Sequence, residues 1–283
     1  MLIVDIHPHI ISTDKKKYPD TPLFGIQSKW SQERQNPIEN MLVAMDEAGV
    51  AKTAIVHAST CYGFDCSYLA DSLARFPERC TGVGSIDMVA ADNVKQAERW
   101  IAAGFNGFRI FTGGSTKEFD GAVLADPRSF PVWDLFNDKA LSVCLQTDIS
   151  AAASIVALAK RFPRTMIVLD HLGRPDVSDG GAYDAAKPLW DLAAHSNIFV
   201  KLTTHSLLHQ LNVGKCETGP FLARLVKEFG ANRVAWGSNF PATPGKLKEH
   251  VAMAQAAIAG LSEADREQIM GKTALKLYPA LAR

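Results

Sequence analysis

Short apolar runs alternate with longer amphipathic ones along the whole chain. The runs at 2–7, 53–58, 81–87, 106–111, 141–147, 166–171, 197–202 and 233–238 have the length of strands. Between them apolar residues recur at helical spacing, as in Ile38, Leu42 and Met45 and later Phe221, Leu225 and Phe229. Eight strands alternating with helices predict a parallel sheet. Strand starts fall about 25 to 50 residues apart, the unit length of an α/β fold of the (β/α)8 TIM barrel type. An open doubly wound sheet is the competing topology, but no Gly-x-Gly-x-x-Gly follows any strand. No linker, repeat or low-complexity stretch divides the chain, so residues 1–283 are expected to form one barrel domain.

Composition narrows the function. The 47% hydrophobic content suffices for a full core. Thirty basic residues balance thirty acidic ones, which disfavours nucleic acid or an anionic membrane as partner. Any attraction for an anionic ligand must be local. No apolar run has the length of a membrane span and the first residues lack a signal-peptide pattern, so a cytoplasmic location is expected. Cys61, Cys66, Cys80, Cys144 and Cys216 are odd in number, lack zinc-site spacing and read as reduced thiols, with Cys144 in the core. Barrel helices often mediate dimerisation, so a homo-oligomer is compatible with the sequence, but no residue marks a partner surface.

Barrel enzymes gather their chemistry at strand C-termini. Read in order, those ends offer His7 and His9, His57 and Ser59, Asp87, Arg109, Gln146 and Asp148. They continue with Asp170, His171 and Arg174, then Lys201, Thr204 and His205, then Ser238 and Asn239. Two positions apart on a strand, His7 and His9 share a face, where paired imidazoles can chelate a divalent metal or hydrogen-bond and transfer protons. Asp5, one step deeper on that face, is expected to orient them. Asp170 is expected on the face opposite His171, as a structural partner.

Arg109, Arg174 and Lys201 stand where an anionic substrate is clamped; arginine binds carboxylates through a planar, permanently charged fork. A buried ion pair is the competing account of Arg109. For Lys201, pairing with a carboxylate is favoured over a Schiff-base or general-base role. His57, Ser59, Tyr62, Gln146 and His205 complete the expected substrate contacts. Residues 11–37, with Tyr18, Phe24 and Trp30, are expected to form a lid, and Lys15-Lys16-Lys17 a solvated face. The glycine-rich segment 112–121 is expected to be flexible rather than a phosphate cradle. His195, His209 and His250, away from strand ends, are expected on the surface or in helices. Ser59, Ser115 and Ser238 lack a Gly-x-Ser-x-Gly elbow, which argues against a serine-triad hydrolase.

Three islands carry a likeness: "VDIHPHI" at 4–10, "VLDHLGRPD" at 168–176 and "RVAWGSNFP" at 233–241. With them the chain resembles the amidohydrolase superfamily, in the amidohydrolase-related branch that includes pyrone dicarboxylate lactonase. The resemblance implies a (β/α)8 fold and hydrolysis of lactones or related carbonyl compounds; other members of the superfamily decarboxylate or isomerise. It also implies substrate contact by Arg174. Two positions depart from the pattern. Gln146 stands where metal-dependent relatives present a histidine, and Asn239 where they present an aspartate. An amide accepts no proton at neutral pH and is a weaker metal ligand than a carboxylate. The lactonase-like relatives use histidines and that aspartate without a metal; here the base is expected to be a histidine, His171 or His57.

The expectation is therefore a hydrolase of a small carboxylated lactone or related cyclic ester, with His7, His9, His171 and Asn239 catalytic. No cofactor is favoured, the alternative being one divalent metal such as zinc at His7, His9 and His171. A metal-dependent decarboxylase-like lyase, and a barrel that binds ligand without turnover, are the other readings.

Overall fold

Eight strands pair in chain order, each parallel to the next. They are β1 (Val4–Asp5), β2 (Lys52–Val56), β3 (Cys80–Gly84) and β4 (Phe105–Phe111), followed by β5 (Ser142–Gln146), β6 (Met166–Leu169), β7 (Ile198–Thr203) and β8 (Val234–Gly237). Ile6 N donates to Trp236 O at 3.3 Å, joining β1 to β8 across the seam of a (β/α)8 TIM barrel. This computed structural model describes residues 1–210 and 217–283; the side chains of 209 and 210 are also outside the description, and with them His209. Cys216 lies outside the described residues, while Cys61, Cys66, Cys80 and Cys144 are free and buried.

Two apolar layers hold the ring. Inside it, Val4, Ile6, Ala54, Val56, Val83, Cys144, Val168, Phe199 and Ala235 pack against Ala274, Leu277, Tyr278 and Leu281, which plug the N-terminal end. Outside it, helices lay their apolar stripes on the sheet. Phe221, Leu225 and Phe229 are buried along the helix Thr218–Phe229, which stops at Gly230. In Ile38–Ala48 the buried stripe is Ile38, Met41 and Met45, one position away from the expected Leu42, and the helix ends on left-handed Gly49. Among the described residues, no helix is long and apolar enough to cross a membrane.

Most strands end one to three residues sooner than their apolar runs. β1 stops at Asp5 because Asp5 Oδ1 takes the backbone N–H of His7 at 3.0 Å. The chain beyond it is tied to both neighbours, Val56 N donating to Pro8 O at 2.9 Å and His9 N to Phe240 O at 2.7 Å. His7 and His9 thus stand on a pinned extension above the ring. His250 lies in a helix, one of its two expected placements, and is buried there within Leu247–Ala257, Nε2 within 2.9 Å of Pro244 O. His195 is half-buried in the turn before β7.

Candidate active site

A column of polar side chains rises inside the barrel. Tyr278 Oη lies 3.3 Å from Cys144 Sγ, Cys144 Sγ lies 3.3 Å from Lys201 Nζ, and Lys201 Nζ lies 2.8 Å from Asp170 Oδ1. Asp170 then divides its carboxylate. Oδ1 also faces His7 Nδ1 at 3.6 Å, and Oδ2 pairs with Arg109 Nε at 3.1 Å. Arg109 donates from Nη2 to Gln146 Oε1 at 2.5 Å. Lys201, Asp170 and His7 have no solvent exposure. The column thus sets two cations against one carboxylate.

Asp170 is not on the face opposite His171, as alternation along a strand predicts. β6 ends at Leu169, and His171, Leu172 and Arg174 all adopt left-handed φ values of 56°, 59° and 51°. That turn breaks the two-residue alternation, so Asp170 and His171 both reach the centre. Left-handed non-glycine residues cost about 1–3 kcal/mol each and concentrate at functional sites. Asn239, after β8, is another at φ 58°. Asp5 acts through the backbone: Oδ1 accepts from His7 N at 3.0 Å and from Ser238 N at 2.8 Å, binding the ends of β1 and β8 together. Gly237 is needed there, since a Cβ would lie 2.5 Å from His7 Cβ.

Above the column opens a cavity of about 390 Å³. Of the expected site residues, His9, Ser59, Arg109, Gln146, His171, Arg174, His205 and Asn239 line it. His7 lies just beneath, its ring centroid 5.2 Å from His9 and 4.9 Å from His171. His57, Tyr62 and Lys201 do not line it. His57 Nε2 pairs with Gly63 O at 3.0 Å, and Tyr62 Oη accepts from Ser12 N at 2.8 Å, so both brace loops. Arg109 forms the buried ion pair that was its competing account, with Asp170 below, and it also lines the cavity above.

Of the expected lid aromatics only Trp30 lines the cavity, stacked on His9 at 5.1 Å. Tyr18 packs on Tyr68 and donates to Asp71; Phe24 is half-exposed against Phe111. Segment 112–121 is a wall rather than a loose loop: Gly114 N bonds Lys117 O at 2.7 Å and Asp120 N bonds Thr112 O at 2.9 Å. From it Gly114, Ser115 and Phe119 face the cavity, and the Arg174 guanidinium lies 4.7 Å from the Phe119 ring centroid. Phe111 and Phe119 were not anticipated. Phe111 shares a strand face with Arg109, a signal the alternation rule offers; Phe119, in a polar loop, carries none.

Electrostatics follows from burial. Burial, then Arg109, pushes His9 down to about 3; burial also holds His7 and His171 well below the usual imidazole range, helped by Lys201 at His7 and Arg174 at His171. All three are neutral at physiological pH. Burial lowers Arg174 to about 10, still cationic. His9 Nδ1 pairs with Val56 O at 2.7 Å and His171 Nδ1 with Thr203 Oγ1 at 2.7 Å, whereas neither ring nitrogen of His7 has a hydrogen bond.

These donors do not fit a metal centre. Among the described residues, no three His, Cys, Asp or Glu side chains stand in a metal-holding arrangement. The carboxylate of Asp170 is taken by Lys201 and Arg109, and the Asn239 amide donates to Thr243 Oγ1 at 2.8 Å.

Comparison with known proteins agrees with the fold. A sequence profile described as amidohydrolase matches residues 4–280. L-fucono-1,5-lactonase of Burkholderia ambifaria is 24% identical over 240 residues, spanning 84% of this chain and 80% of the relative. A Pseudomonas putida structure, provisionally assigned as a 2-pyrone-4,6-dicarboxylic acid hydrolase, superposes with a TM-score of 0.80 at 20% identity, covering 99% of this chain and 98% of that one. An amidohydrolase of Burkholderia multivorans solved with bound zinc gives a TM-score of 0.77 at 19% identity, with 99% of each chain covered. At these identities the solved structures share the fold.

Proposed function

As the chain belongs to the amidohydrolase family and is a hydrolase, we propose that it opens a small carboxylated lactone or related cyclic ester. The observation that carries the reading is the charge at the cavity floor. Arg109 and Lys201 share the single carboxylate of Asp170, and Arg174 adds a third cation on the wall. A buried positive excess calls for an anion, and the guanidinium forks suit a carboxylate. The lactonase name of the Burkholderia ambifaria relative and the dicarboxylic substrate in the name of the Pseudomonas putida structure support this class.

The chemistry then uses neutral imidazoles. Water bonds to the lactone carbonyl carbon while its proton passes to a ring nitrogen, and the carbonyl electron pair moves onto oxygen. The oxyanion forms beside the cationic floor, where preorganised positive charge is most effective. Collapse breaks the ring C–O bond and the imidazolium returns its proton to the leaving oxygen, giving the hydroxy acid. Asn239 orients water or a substrate oxygen by hydrogen bonding. His57 is not the base, because its Nε2 is engaged with Gly63 away from the cavity.

Purified protein is incubated with paired lactones that differ only in a ring carboxylate, and ring opening is followed. Faster opening of the carboxylated member is expected. No turnover of either, by protein with intact fold, overturns the reading.

A further inference from the structure

We propose that Asp170 is a positioning residue: it holds His7 as the Nδ1–H tautomer, so that Nε2 keeps the lone pair that takes the proton from the hydrolytic water, while Lys201 anchors Asp170 from below. The proposal rests on the lactonase reading only for its kinetic arm.

Three geometric facts single out His7. It is the only imidazole of the trio with a ring nitrogen facing a carboxylate, Nδ1 lying 3.6 Å from Asp170 Oδ1; His9 and His171 spend theirs on a carbonyl and a hydroxyl. Its Nε2 is fully buried without a partner, flanked by two imidazoles that line the cavity. An unpartnered buried nitrogen beside a cavity is a place for a water. Asp170, finally, cannot turn away. Lys201 fixes Oδ1 at 2.8 Å and Arg109 fixes Oδ2 at 3.1 Å.

The tautomer of a histidine is set by what its other nitrogen meets. A carboxylate opposite Nδ1 favours a proton there, and the 3.6 Å separation leaves room for the contact to tighten as charge develops on the ring. The water proton moves to Nε2 as the oxygen attacks, and Asp170 stabilises the imidazolium until that proton leaves with the ring oxygen. This supplies a base where Asn239 supplies none.

The test is the ring nitrogen spectrum of protein labelled with 15N-histidine, the His7 signal assigned by its loss in His7→Gln. Wild type is compared with Lys201→Met, which keeps Asp170, and with the double variant Asp170→Asn, Lys201→Met. In the double variant Arg109 alone remains of the column's charges, so the single positive excess is preserved. Wild type and Lys201→Met are expected to show the proton on Nδ1; the double variant should shift toward Nε2–H. Its kcat on a carboxylated lactone should fall roughly tenfold or more, the usual scale for such supporting partners. A wild-type His7 carrying its proton on Nε2, or a tautomer unchanged in the double variant, overturns the proposal. The spectra need no substrate, and the wild-type spectrum decides even if the double variant does not fold. A tautomer shift without lactone turnover counts against the lactonase reading alone.

Discussion

Lys201 Nζ and Asp170 Oδ1 stand 2.8 Å apart with both side chains wholly out of water, and the same carboxylate reaches Arg109 through its other oxygen. Pairs of this kind matter most when halved, because the remaining charge is stranded in a low dielectric. Asp170→Asn strands two cations, and we expect it to cost about 3–5 kcal/mol. Adding Lys201→Met should recover a large part of that loss. Urea unfolding of both variants is the check; a single variant as stable as wild type would mean water reaches the pair.

Arg174 is the gentler probe of the anion site. It lines the cavity against Phe119, and its polar contact with the chain is a long one to Thr147 O at 3.4 Å. Arg174→Gln should leave stability near wild type and raise KM for a carboxylated lactone roughly tenfold or more, the worth of one charge-assisted hydrogen bond. For the uncharged analogue KM should barely move. Equal losses on both substrates would show that Arg174 shapes the wall without reading charge.

Much of this site was legible in the chain because barrels put strand ends together. His7 and His9 after β1, Arg109 on β4, Gln146 on β5, His171 and Arg174 after β6, and Asn239 after β8 come from five strands and meet at one mouth. The alternation rule misled at Asp170, where the left-handed turn through His171 and Leu172 depends on tertiary packing and leaves no mark in hydrophobic pattern. It also gave no means to separate His57 from His171. Both follow strands, and only the loop carbonyl of Gly63 removes His57 from the cavity. Phe119 was hidden for the same reason: a loop's inward residue is chosen by backbone contacts such as Gly114 to Lys117.

Chelation distinguishes the hydrolytic route from a metal-dependent one, including the decarboxylase-like alternative. Around His7, Nδ1 of His9, Nδ1 of His171 and the Asp170 carboxylate are engaged in hydrogen bonds and ion pairs, and among the described residues no three such side chains are arrayed as ligands. Lactone opening is therefore expected to survive dialysis against a chelator. Loss of activity that zinc restores would assign the chemistry to a bound ion instead.

Asn239→Asp tests whether the barrel is catalytic as it stands. Aspartate tolerates left-handed backbone about as well as asparagine and can accept from the Thr243 hydroxyl, which now accepts from the amide at 2.8 Å. The variant should fold like wild type. If histidine supplies the base, wild type already turns over and the substitution changes kcat by less than about tenfold, below what one general base supplies. An inert wild type whose turnover appears only in the Asn239→Asp variant would identify a binding barrel that has lost its base.

Acid should unfold this protein earlier than its balanced charge suggests. Burial pushes His57 down to about 4 and His9 to about 3, and holds His7 and His171 well below their ordinary range. In the unfolded chain each titrates near 6.5. Between those values the unfolded state binds protons that the folded state refuses, so stability rises with pH. The contribution is complete above about pH 6.5 and is lost as pH falls toward 4. Asp5 acts in the opposite sense: burial raises its pKa, so the folded state holds a proton that the unfolded chain has released above about 3.8, which offsets part of the effect at the acid end. Urea midpoints should therefore drop steadily from about pH 7.5 to about pH 5. His57→Gln isolates one share, since its amide can still donate to Gly63 O while carrying no titration. Proton uptake on unfolding near pH 5 should fall by close to one in that variant; an unchanged uptake would mean that His57 is hydrated and titrates normally in the folded protein.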